Sequence, residues 1–174
     1  MKHVLSALVL VSLPTLTFAQ MVQIPTVQSC NIGKAQGSAN VFLHKRQDIN
    51  HSGTIDITLA DVGCDPTGGD GHPTGVISMR FSLSDSSIAD MQVTLIEQMT
   101  TVGKHTTTTY LSGRCTANGG TIPCHFWLML ADNRIPQLPG TADVVGVLVL
   151  DKKGNPLTYG TGPVRTGDVT VTQF

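Results

Sequence analysis

Charge is scarce in this chain, and one acidic residue type is almost missing. Charged side chains make up 13% of the sequence, and Glu97 is the sole glutamate beside a full set of aspartates. Aspartate suits turns and strand ends better than helix interiors. After the first nineteen residues no stretch repeats its apolar residues with the 3.6-residue period of a helix. No run of Lys and Arg appears, so a nucleic-acid role lacks its electrostatic footprint. Also missing are C-x-x-C, H-x-H and H-E-x-x-H spacings, a G-x-S-x-G elbow and a P-loop. Gly160-Thr161-Gly162 has neither the further glycine nor the helix of a dinucleotide motif.

The one long apolar run lies at the front. Lys2 and His3 precede an apolar stretch from Val4 to Leu16, and Thr17-Phe18-Ala19 ends in a small residue. This is the order of a secretory signal peptide, and the run is shorter than the about 20 residues a membrane span needs. Residues 1–19 are therefore read as a cleaved leader and residues 20–174 as one domain, exported to the periplasm or beyond, with no membrane span. Loss of Lys2 leaves ten basic against twelve acidic side chains, so the mature chain is faintly acidic.

Strand signals fill the remainder. Ile55, Ile57 and Leu59 alternate with Asp56 and Thr58; Ile77, Met79, Phe81 and Leu83 alternate with Ser78, Arg80 and Ser82. Met91, Val93 and Leu95 continue in kind until Ile96 breaks phase, which predicts a bulge beside Glu97. Asn118-Gly119-Gly120 is a tight-turn signal. Cys124-His125-Phe126-Trp127-Leu128-Met129-Leu130-Ala131 and Val144-Val145-Gly146-Val147-Leu148-Val149-Leu150 are apolar at almost every position, which predicts strands covered on both faces. About eight or nine short strands at regular spacing predict an all-β fold, a single antiparallel β-sandwich of immunoglobulin-like type.

Four cysteines in an exported chain predict two disulfides, with three connectivities open. The shortest loops join Cys30 to Cys64 and Cys115 to Cys124, and the second pair flanks the Asn118-Gly119-Gly120 turn.

Part of the chain resembles fimbrial subunits of the chaperone–usher class. The extended start at residues 20–29, Cys30, the alternating run from Ile55 to Cys64, the strand at residues 76–83 and Val147-Leu148-Val149-Leu150-Asp151-Lys152-Lys153-Gly154-Asn155-Pro156-Leu157 are similar to the layout of those subunits. The Cys115 and Cys124 pair and the short tail ending in Gln173-Phe174 depart from it. The resemblance implies an incomplete sandwich finished by another subunit's arm.

For function, the expectation is a non-catalytic binding or assembly module acting through its surfaces. Its partner would be another protein chain or a second copy, and no cofactor is expected. The candidate interaction face is Trp127, Met129, Val145, Val147 and Val149. An alternative is a cation site at Asp61, Asp65, Asp70 and His72, though a calcium ion wants about six to eight oxygens and the spacing is not that of an EF-hand. Histidines paired with Met79, Met91, Met99 or Met129 would suit copper, but methionines on inward faces are ordinary core filler. A third alternative is an enzyme whose site forms only in three dimensions. The leader reading has a direct check: mass spectrometry of exported protein should find Gln20 as the first residue, and retention of residues 1–19 would refute it.

Overall fold

A computed structural model describes residues 29–31, 33–43, 51–64, 71–103, 107–133 and 141–173. The leader and the start at residues 20–28 lie outside these. Nine strands follow in order: β1 (Ser29–Cys30), β2 (Gly33–Leu43), β3 (Gly53–Cys64), β4 (Thr74–Leu83), β5 (Asp90–Val102), β6 (Thr107–Ala117), β7 (Ile122–Asp132), β8 (Val144–Asp151) and β9 (Pro156–Thr172). From β2 to β9 each strand pairs antiparallel with the next, and β9 pairs back with β2. The result is an eight-stranded up-and-down barrel, with β1 lying parallel to β5 outside the ring.

This corrects the expected sandwich. A sandwich keeps two stacked sheets, each with exposed edges, whereas this single sheet curls until its first and last strands bond and the edges vanish. Nor does the fold carry the immunoglobulin-like, incomplete architecture that the fimbrial resemblance implied. The turn signals, the strand locations and the alternation are common to both architectures; what separates them is the long-range β2–β9 pairing.

Eight strands enclose a bore just wide enough for side chains to fill. Here Phe126, Ile55, Ile57, Ile77, Met79, Met91, Met99 and Leu130 are fully buried in it. β7 alternates from Cys124 to Leu130: Phe126, Leu128 and Leu130 point inward, while Trp127 points out and is 49% exposed. The apolar outward residues of β7 and β8 thus meet no second layer. Gly146 on the outer face is covered locally, since a Cβ placed there would lie 3.0 Å from Thr161 Oγ1 and 3.4 Å from Met129 Cε.

Closure needs close backbone approach along β2–β9. Gly167 has φ +88°, and a Cβ on it would stand 2.2 Å from the carbonyl oxygen of Ser38 on β2. Gly37, φ +144°, meets the carbonyl of Asp168 in the same way at 2.1 Å. Only glycine tolerates both conditions. Gly160 and Gly162 face the core, where a Cβ on the first would stand 2.7 Å from Ile55 Cδ1 and Leu43 Cδ1 and on the second 2.9 Å from Val41 Cγ1; β9 runs unbroken through both and bends from one partner strand to the next. Its first half pairs with β8 and its second with β2.

That bend leaves the second half of β9 without β8 beside it, since the β8–β9 ladder ends at Val144 and Pro163. Carboxylates replace the missing carbonyls. Val169 N donates to Asp143 Oδ2 (3.3 Å) and Val171 N to Asp132 Oδ2 (3.1 Å). Asp143 is wholly buried, and its other oxygen accepts Asn133 N at 3.1 Å. Inside the barrel Thr101 and Thr109, both fully buried, bond each other through their hydroxyls.

Both cysteine pairs are bonded in the shortest-loop connectivity. Cys115 and Cys124 stand directly opposite across β6–β7, and Cys30–Cys64 ties β1 to the end of β3. The chain-entropy model gives about 2.5 kcal/mol for the short loop and nearly 4 for the long one. The expected bulge is present: the β5–β6 register shifts between Ile96 and Gln98, and Glu97 there pairs with Arg114 at 2.8 Å. Asn118 and Gly119 form the β6–β7 turn with positive φ. In the β8–β9 turn the Asn155 side-chain amide, followed by its backbone N–H, holds the Asp151 carboxyl below its ordinary pKa.

Three substitutions test this architecture. Neighbouring residues of β7 should respond oppositely: Phe126→Ala should cost about 3–5 kcal/mol, whereas Trp127→Ala, half-exposed outside, should cost no more than about 1–2 kcal/mol. Urea unfolding curves read both, and a Trp127→Ala loss as large as that of Phe126→Ala would put Trp127 in a second core. Gly167→Ala should destabilise the protein by about 1–3 kcal/mol through backbone strain at the closing seam; a neutral effect would mean the seam is not tight there.

Candidate functional site: an aromatic outer face

The outward residues of β5–β9 fall into rungs that run across the strands. Register places Gln98 opposite Ser112, Ser112 opposite Trp127, Trp127 opposite Leu148, and Leu148 opposite Tyr159. The adjacent rung is Thr100, Tyr110, Met129, Gly146 and Thr161. The only Trp and both Tyr of the chain therefore share one outer face, with Tyr110 50%, Trp127 49% and Tyr159 44% exposed. Neither rung contains a charged residue. Ser112 Oγ donates to Gln98 Oε1 at 3.3 Å.

The face is hollowed rather than flat. A groove of about 250 Å³ lies among Tyr110, Trp127, Met129, Gly146, Leu148 and Thr161. A second, of about 610 Å³, runs between Phe42, His51, Leu148, Tyr159, Thr161 and Pro163. It opens beside Phe42 and Leu43, where the β2–β9 ladder ends at Val41 and Val164. The two hollows share Val147, Leu148 and Thr161 and so adjoin; the pair is the trough across β6–β9.

The far end of the trough is stiffened. The His51 ring stacks on Tyr159 with centroids 4.4 Å apart and planes within 4°. Its Nδ1 pairs with Asp85 Oδ1 at 2.7 Å, while its buried Nε2 has no hydrogen-bond partner. Two contacts thus fix the ring that fixes Tyr159. Beyond it the Arg165 guanidinium sits 5.4 Å over the Phe42 ring, a cation–π contact.

Of the residues expected in an interaction face, Trp127 and Met129 are on it. Val145, Val147 and Val149 are not: they are 0%, 5% and 0% exposed and line the barrel interior. With a period of two, their outward neighbours Val144, Leu148 and Leu150 hold the places assigned to them. No local signal in the sequence joins Tyr110, Tyr159, Thr161 and His51 to this face, because strands separated by hairpins share one face only once register is set. His51 and Asp85 are 34 residues apart, and no spacing rule links them.

Of the cation candidates, Asp65 and Asp70 lie outside the described residues, Asp61 is ion-paired with Lys34 at 3.4 Å, and His72 is half-buried. Among the described residues no three His, Cys, Asp or Glu side chains converge as metal ligands. Met79, Met91 and Met99 are core residues at 1%, 0% and 0% exposure. No protein-family model, no curated protein and no solved structure matches this chain.

Proposed function

We propose that this protein is a non-catalytic binding module, secreted or periplasmic, that engages another protein chain through the outer face of β6–β9. The observation that carries this reading is the gathering of Tyr110, Trp127 and Tyr159 on one uncharged, hollowed surface. Leaving three large aromatic side chains half in water forgoes burial worth about 25 cal/mol per Å² of apolar surface. Exposed apolar patches of this kind mark interaction sites, and Trp and Tyr dominate the energetics of interfaces. The bonded cysteines fit an oxidising compartment, and so support export.

The test is selective retention. Immobilised wild-type protein should retain a component of an envelope extract from the cells that make it. A Trp127→Ala/Tyr159→Ala double variant of unchanged melting temperature should lose it, while Leu59→Ala/Val76→Ala, altering exposed apolar residues of β3 and β4, should keep it. Equal retention by all three proteins would refute the assignment of function to this face.

A further inference from the structure

We propose that the chain segment received by this trough is an uncharged, proline-rich stretch in the polyproline II conformation; this rests on the binding role assigned to the face. Four features of the surface select that chemistry among the ways a protein can hold a peptide.

The first is hydrogen bonding. A peptide that binds as an added strand needs an open sheet edge. Along the rung that carries Trp127 and Leu148, β6, β7 and β8 are each paired on both sides, so from Ser112 to Leu148 the face offers side chains and no free ladder. A polyproline II segment has no internal backbone bonds to satisfy and asks for none from a ladder.

The second is spacing. Trp127 and Tyr159 belong to one rung and stand two strands apart, with Leu148 between them. At about 4.8 Å per strand their separation is roughly 10 Å. Polyproline II advances about 3.1 Å per residue with three residues per turn, so prolines at i and i+3 lie on one side roughly 9 Å apart. One proline ring can rest on each aromatic side chain while the two residues between them arch over Leu148. The glycine at 146 keeps the neighbouring rung low, beside Tyr110 and Met129.

The third is polarity. An indole N–H and two phenol hydroxyls are the polar ends of the aromatic residues, and all three can donate. Proline carbonyls are acceptors with no N–H alongside that needs a partner of its own. The fourth is charge: neither rung has any, Arg114 beside the face pairs with Glu97, and the Arg165 guanidinium at the far end lies over the Phe42 ring. A charged motif would lose hydration here with nothing to replace it. The His51 stack on Tyr159 adds preorganisation on the protein side to that of a stiff ligand, and both lower the entropy cost of binding.

Trp127 is the only tryptophan of the chain, so its emission reports this face alone. Wild-type protein titrated with a deca-proline peptide should show a saturable change in emission. Tyr159→Ala should weaken the apparent affinity by at least about tenfold, as expected for an interface anchor. Tyr159→Phe, which keeps the ring, serves if the alanine variant does not fold, and should lose less. Val76→Ala on β4 should titrate like wild type, and a Gly-Ser decapeptide should give no change. No saturable change with deca-proline, or an unaltered titration in Tyr159→Ala, overturns the proposal. A response to cellohexaose with none to deca-proline assigns the trough to a glycan and also overturns it. If retention from extract still depends on Trp127 and Tyr159 while deca-proline is silent, the binding face stands and only the ligand class falls.

Discussion

Hydrogen bonding between β2 and β9 is the constraint on which the remaining structure depends. These strands lie at opposite ends of the described chain, and their ladder runs from Lys34 with Thr172 to Val41 with Val164. Without it the meander would be an open sheet with two long edges and one wet apolar face. With it the apolar face becomes an enclosed bore, and Phe126, Leu130, Val145 and Val149 lose all contact with water. The free energy of the core is thus gained only when the most distant pairing in sequence forms. Such non-local closure is entropically demanding and slow to form.

The seam explains several otherwise unconnected residues. Gly37 and Gly167 let two backbones approach where any Cβ would strike a carbonyl. β9 bends to serve β8 and then β2, and the groups freed by the bend are met by Asp143 and Asp132. A carboxylate buried as deeply as Asp143 is costly in itself, and accepting backbone N–H groups offsets that cost. Opposite the seam, the β4–β5 ladder is short, with three register pairs from Ser78–Gln92 to Arg80–Asp90. Near it β1 runs parallel to β5, anchored by the Cys30–Cys64 bond and by Asn31, whose side chain exchanges hydrogen bonds with the Thr101 backbone.

The same bend shapes the outer surface. Where the β2–β9 ladder ends at Val41, a cleft opens beside Phe42, and His51 and Tyr159 stack at its wall. Its continuation over Leu148 and Gly146 reaches Trp127 and Tyr110. A barrel consumes its inward residues in packing and has only its outer face left for recognition. Aromatic residues on that face are therefore available for binding in a way that those of the core, such as Phe81 and Phe126, are not.

The amino-acid sequence by itself determined the local features. Period-two alternation marked the strands, the phase break at Ile96 marked the bulge, and Asn118-Gly119-Gly120 marked the turn that brings Cys115 to Cys124. Each is legible because its cause lies within a few residues: side-chain alternation, backbone freedom at glycine, the reach of a hairpin. Tertiary structure alone decided that the sheet closes, that Val145, Val147 and Val149 face the bore while Leu148 faces out, and that His51 meets Asp85. A run apolar at every position carries no phase, so nothing local says which of its faces is inside. That choice falls to register, and register here is set by pairing of strands more than a hundred residues apart, as Ala35 with Val171, whose energy no short window of sequence contains.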